Sequence, residues 1–169
     1  MQYNALLLTL PREIKSFLAI FVVVLSVGYF TGLLFVGQTE TTTPEGIEEN
    51  YLGNEDDPDA EVMKFEKGER EMLTIIHTHI LSISFIFFLL GGILVFADLP
   101  EKLKFFLILE PFFSILATFG GIYFVWKGVD WMKYVVLVSG ILMTVIFITS
   151  VSIVLYQLLF QKVKTRASH

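Results

Sequence analysis

Four long apolar runs constrain this chain more than any other feature. Phe17 to Val36, Met72 to Ala97 and Tyr134 to Gln161 contain no Asp, Glu, Lys or Arg, and Phe105 to Trp126 contains one, Glu110. A helix of ~20 predominantly apolar residues crosses a ~30 Å hydrocarbon core. A helix apolar on every face for that length is out of place in a soluble bundle. Composition agrees, with 54% hydrophobic and 15% aromatic residues and a mean hydropathy of +0.70. The expected fold class is all-α: a polytopic membrane protein forming an antiparallel bundle of four transmembrane helices. These fall near 15–37, 71–97, 103–127 and 132–160, within one membrane domain spanning 1–169. The first run exceeds the apolar region of a cleaved leader, and Gly37-Gln38-Thr39-Glu40 offers no small-residue cleavage site, so it reads as a retained anchor.

Charge orients the bundle. Arg12 and Lys15 precede the first run, Lys102 and Lys104 separate the second from the third, and Lys162, Lys164 and Arg166 follow the fourth. Basic flanks stay on the cytoplasmic side, so both termini are expected inside and the acidic loop 38–70 outside. That loop carries much of the acid behind the net charge of −5. It reads as a solvated charge run without a hydrophobic core, and Glu55-Asp56-Asp57-Pro58-Asp59 lacks the register of an EF-hand calcium loop. Pro44 followed by acids predicts a short helix, and Gly53-Asn54 predicts its C-terminal turn. Tyr51, Gly53 and Asn54 are the candidate docking motif of the loop. Trp126, Trp131 and Tyr134 mark one interface, and Gly91-Gly92, Gly120-Gly121 and Ser139-Gly140 are expected to let helices approach closely. No basic stripe exists to bind nucleic acid, and a chain without cysteine has no disulfide, thiolate metal site or covalent haem.

Three ionisable groups inside the runs are the candidates for chemistry. His77 and His79 fall about two turns inside the second helix. Two residues correspond to ~200° of rotation, so an undistorted helix cannot aim both imidazoles at one metal. They are candidate cofactor or metal ligands, each serving a different neighbour, and the competing reading makes both hydrogen-bonding residues in helix packing. His77 shares its face with Ser84 and Gly91 and is expected to point inward. His79, with Ser82, Ile86 and Phe87, is expected to meet a partner. Met143 is the matching axial candidate for a b-type haem, or a simple core residue.

Glu110, Ser114 and Thr118 recur every four residues on one face of the third helix, with Pro111 predicting a kink. They read either as a proton path or polar lining for a quinone head group, or as a packing seam in which Glu110 reaches Lys102 or Lys104. Glu110 lies ~15 Å deeper than the histidines and is not their co-ligand. Ser82, Ser84, Ser139 and Ser150 read as packing hydroxyls.

The runs Gly46-Ile47-Glu48-Glu49-Asn50-Tyr51-Leu52-Gly53-Asn54 and Thr74-Ile75-Ile76-His77-Thr78-His79, with Glu110-Pro111-Phe112 and Phe119-Gly120-Gly121, resemble a group of bacterial four-helix membrane proteins. Some members of that group carry a c-type cytochrome segment in the first external loop. The resemblance covers nearly the whole chain and implies a respiratory or electron-transfer setting in the bacterial cytoplasmic membrane, with a cytochrome c as one partner. It departs at one point: there is no Cys-x-x-Cys-His here, so no covalent haem.

Three functions compete. The first is an accessory subunit of a larger membrane complex, partnered by the lipid bilayer and by other membrane subunits or copies of itself. The second is a b-haem or quinone-binding electron carrier, and the third a small proton or metal-ion transporter. No complete catalytic constellation is visible.

Overall fold

The computed structural model describes residues 3–55, 57, 58, 60 and 62–161. The acids Asp56, Asp59 and Glu61 of the loop and the basic Lys162, Lys164 and Arg166 lie outside them. The described chain is all-helical: α1 (Leu6–Thr9), α2 (Arg12–Gln38), α3 (Pro44–Leu52), α4 (Glu69–Leu94), α5 (Glu101–Trp126) and α6 (Met132–Leu159). α2, α4, α5 and α6 are each long and apolar enough to cross a membrane. Short links make α4, α5 and α6 sequential antiparallel neighbours. α5 packs between α4 and α6, and α2 packs chiefly on α6.

Antiparallel α5 and α6 form the tightest seam. Thr118 and Ser139 are hydroxyl to hydroxyl at 2.7 Å, and a Cβ on Gly121 would stand 2.7 Å from Val136 Cγ2. Only a residue without a side chain allows this approach. The other small residues do less: Gly91 would make an ordinary 3.7 Å contact with Ile108, while Gly92, Gly120 and Gly140 face open space. Tyr29 joins α2 to the rest, stacking on Phe147 with ring centroids 3.8 Å apart, meeting Phe87 edge-on, and placing its hydroxyl 3.2 Å from Thr144 Oγ1.

At one end of the bundle, here the terminal face, the segment preceding α2 is sewn to the α4–α5 turn. Leu7 N–H donates to Phe96 O, Lys104 Nζ donates to Asn4 Oδ1 at 2.6 Å and Val95 O at 3.0 Å, and Gln157 bonds both backbone groups of Asp98. Lys104 is 1% exposed there. An ammonium so deep is held by oxygen acceptors, as a buried cation requires.

The opposite end, the loop face, is capped. The expectation of a wholly solvated loop is corrected, because Ile47 is 2% exposed within the main core and Tyr51 and Leu52 pack against it. α3 starts at Pro44 with Thr43 Oγ1 accepting from Gly46 N–H, an N-cap arrangement. It ends at Gly53, whose φ of +85° side chains disfavour. Asn54 then clamps the returning strand of the loop, donating to Val62 O and accepting from Lys64 N–H at 2.6 Å.

Candidate functional site

Tyr51, Gly53 and Asn54 therefore tie the cap to itself and to the bundle. Lys64 bridges Glu40 at 2.8 Å and Glu49 at 3.5 Å. Its ammonium draws Glu40 below the usual carboxylate range, through a hydrogen bond and charge attraction. Burial pushes the Tyr51 phenol up to about 12, against the opposing hydrogen bond from Asn50. Trp126 Nε1 donates to Lys67 O at 2.8 Å, and Lys133 of α6 reaches Glu48 of α3, so α5 and α6 both hold the cap. Trp131 and Tyr134 remain exposed at that end.

The two histidines leave α4 toward different neighbours. His79 stacks on Phe119 of α5, centroids 5.1 Å apart, and its Nδ1–H donates to Ile75 O at 2.7 Å. That bond leaves Nε2 as the free acceptor or ligand nitrogen. His77 is exposed and has no bonding partner among the described residues. With Glu69, Arg70, Leu73 and Thr74 it lines an open hollow on the outside of α4. Both rings are exposed, but it is His79, and not the expected His77, that touches a neighbouring helix of the bundle, through Phe119. The reason is an apolar heptad along α4. Met72, Ile76, Ile80, Ile83, Phe87, Leu90 and Leu94 form the inward stripe of α4. His79 sits ~60° from Ile76 and His77 ~100° from it.

Among the described residues no three His, Cys, Asp or Glu side chains converge on a metal position. Met143 is 7% exposed in the core, and nothing brings it to a histidine.

The α5 stripe is assembled as a buried polar line. Ser114 donates to Glu110 Oε1, and Ser114, Thr118 and Ser139 are 3%, 7% and 7% exposed. Ser139 donates to Val135 O at 2.7 Å, which makes Thr118 the donor in their shared bond. The expected reach of Glu110 toward Lys102 or Lys104 does not occur. Lys104 is committed to Asn4 and Val95, and no ion pair joins Glu110 to a described lysine. Geometry explains the miss: six residues turn Lys104 ~240° from Glu110, and eight residues place Lys102 ~12 Å away along the axis. Among the described residues, Glu110 Oε2 and Ser150 Oγ are buried side-chain oxygens without a partner. Ser150 follows Ser139 by 11 residues and so returns to the same helix face.

Residues 41–165, which hold the cap and three of the four apolar spans, match a family model described as a transmembrane helical domain. The chain belongs to the Aq_1264_TM family. The matched residues take in α3, α4, α5 and α6 and leave α1 and α2 outside. No curated protein and no solved structure matches the chain. The Aq_1264_TM domain is thus established as a multi-pass membrane protein in contact with lipid.

Proposed function

We propose that this Aq_1264_TM domain is a non-catalytic subunit of a larger membrane assembly, docked through the loop-side half of α4. The observation that carries this reading is His77. It lies eight residues inside α4, ~12 Å along the axis, on a helix of spanning length, yet it is exposed and points away from its own bundle. Ionisable side chains at membrane depth ordinarily face protein or a water-filled cavity, because lipid offers them no partner. Thr74 and Ser82 satisfy themselves on the backbone, bonding Arg70 O and His79 O. His77 makes no such bond among the described residues, and in this reading a helix from another subunit supplies its partner.

The resemblance to proteins carrying cytochrome segments supports a respiratory or electron-transfer setting in the bacterial cytoplasmic membrane, with the capped loop on the outside. His79, with Nε2 free, supports the second reading, an electron carrier holding a b-type haem or quinone.

Photo-crosslinking decides the main reading. A benzophenone side chain at Leu73 or Leu81, which flank His77 on the exposed face of α4, is expected to join a second polypeptide in intact membranes. His77→Leu is expected to dissociate the assembly on native gels while leaving the subunit folded. Crosslinks to lipid alone would overturn the proposal. An absorption spectrum of the purified assembly without haem or flavin would remove the electron-transfer setting.

A further inference from the structure

α2 and α4 both pack on α6 and meet each other edge to face at Tyr29 and Phe87. On the terminal side of that contact, α1, α2 and α4 line an apolar groove of about 320 Å³. Leu7 of α1 is fully buried in it, Leu18 of α2 is half-buried, and Phe88 and Phe96 of α4 are exposed along it. Gly92 lies midway between the two phenylalanines, which stand ~12 Å apart along the helix axis. A Cβ on Gly92 would meet nothing within 4 Å. Packing does not require a glycine here, as it does at Gly121, so Gly92 keeps open a space that the bundle itself does not fill.

The outer end of the groove is basic. Lys15 lies ~4.5 Å along α2 from Leu18 and ~60° around it. Its Nζ donates to Leu8 O at 2.8 Å, which fixes the ammonium between α1 and α2 and leaves two of its three N–H donors over. Arg12, one turn further out, is exposed. Among the described residues neither cation is paired with a carboxylate. Glu13 is turned ~100° from Arg12 and ~200° from Lys15, and Asp98 accepts from Asn4 across the α4–α5 turn.

We propose that this groove binds one anionic phospholipid of the surrounding bilayer, with an acyl chain lying over Gly92 and the phosphate on Lys15 and Arg12. An unbranched hydrocarbon chain fits a groove that a helix ~10 Å across cannot enter. The two cations choose the head group. Basic pockets between transmembrane helices take anionic head groups, and the guanidinium of Arg12 can hold two phosphate oxygens at once. A zwitterionic lipid carries a cation of its own near its phosphate, so it gains less from the same pair. The groove occupies the terminal-side half of α4, away from His77, and is independent of the docking role of the loop-side half.

Native mass spectrometry of the full chain in detergent, titrated with phosphatidylglycerol or phosphatidylcholine of identical acyl chains, tests this. The expected result is one retained phosphatidylglycerol, bound about tenfold more tightly than phosphatidylcholine, a ratio within reach of two cations at the surface. Gly92→Leu puts a side chain into the groove and should weaken both lipids together. Arg12→Gln combined with Lys15→Gln should bring phosphatidylglycerol down to the level of phosphatidylcholine and leave the latter unchanged. Should Gly92→Leu fail to accumulate, the charge variant still decides through the lost preference. Equal retention of the two lipids by the wild type, binding unmoved in Gly92→Leu, or a preference that survives the double substitution would overturn the proposal. So would extraction of an isoprenoid quinone from the unsupplemented wild type and not from Gly92→Leu, which would reassign the groove.

Discussion

Lys133 of α6 donates to Glu48 of α3 at 2.6 Å while also holding Asp130 of the preceding turn at 2.6 Å, so one ammonium pins the cap to the bundle. Its side chain is 11% exposed against 40% for Glu48 and 66% for Asp130. The carboxylates are thus well screened, and the pair is a modest tether. Glu48→Gln is expected to raise amide exchange in α3 about fivefold, leaving exchange in α5 and α6 unchanged. Raised salt acts in the same direction on the wild type. Hydrogen exchange read by mass spectrometry checks both.

Tyr51 makes the cap sensitive to alkali. Its phenol is pushed from 10.0 up to about 12 by burial. A raised folded-state value means the unfolded chain releases its proton first. The stabilising contribution is therefore complete below pH 10 and disappears as pH climbs through 10 to about 12. Two units correspond to roughly 2–3 kcal/mol, enough to release a cap of this size. Tyr51→Phe should abolish the alkaline transition in α3 exchange, and ultraviolet titration of the phenolate should show one late tyrosine fewer in that variant.

The absence of cysteine allows a direct reading of sidedness. Thr42 lies at the loop face and Lys102 at the terminal face, and both are exposed. Thr42→Cys is expected to react with an impermeant maleimide in intact cells, and Lys102→Cys only after permeabilisation, because basic flanks are retained inside. The reverse pattern would turn the bundle over and put the cap in the cytoplasm.

The spans and α3 are legible in the sequence because each is set locally, by apolar length in one case and by Pro44, Thr43 and Gly53 in the other. Partnerships between helices are less so. Lys104 and Glu110 look like a pair on paper, but Lys104 is captured by Asn4, 100 residues away. No periodicity within one helix reveals that capture. His77 and Gly91 share a face by spacing, yet that face turns outward at His77, because the inward stripe of α4 is apolar and the small residues were the weaker signal. Ile47 lies in an otherwise acidic loop, so average hydropathy conceals a single buried anchor.

The register between α5 and α6 gives the sharpest packing test. A methyl group on Gly121 would sit 2.7 Å from Val136 Cγ2, with the Met132 carbonyl and the Val136 backbone at 3.8 Å. Val136 is 6% exposed and β-branched, so it has no free rotamer into which to retreat. Overpacking of this kind costs about 1–3 kcal/mol, and Gly121→Ala should lower the stability of the solubilised protein by that amount. Val136→Ala alone should also destabilise, by removing buried methyl groups. The double variant should be more stable than the sum of the two losses, since the new methyl occupies the space the old ones vacate, and that excess is the coupling a double-mutant cycle measures. Reversible unfolding in mixed detergent provides the stability readings. Strict additivity would mean that α5 and α6 do not meet at these residues, and the register built on Thr118 and Ser139 would fall with it.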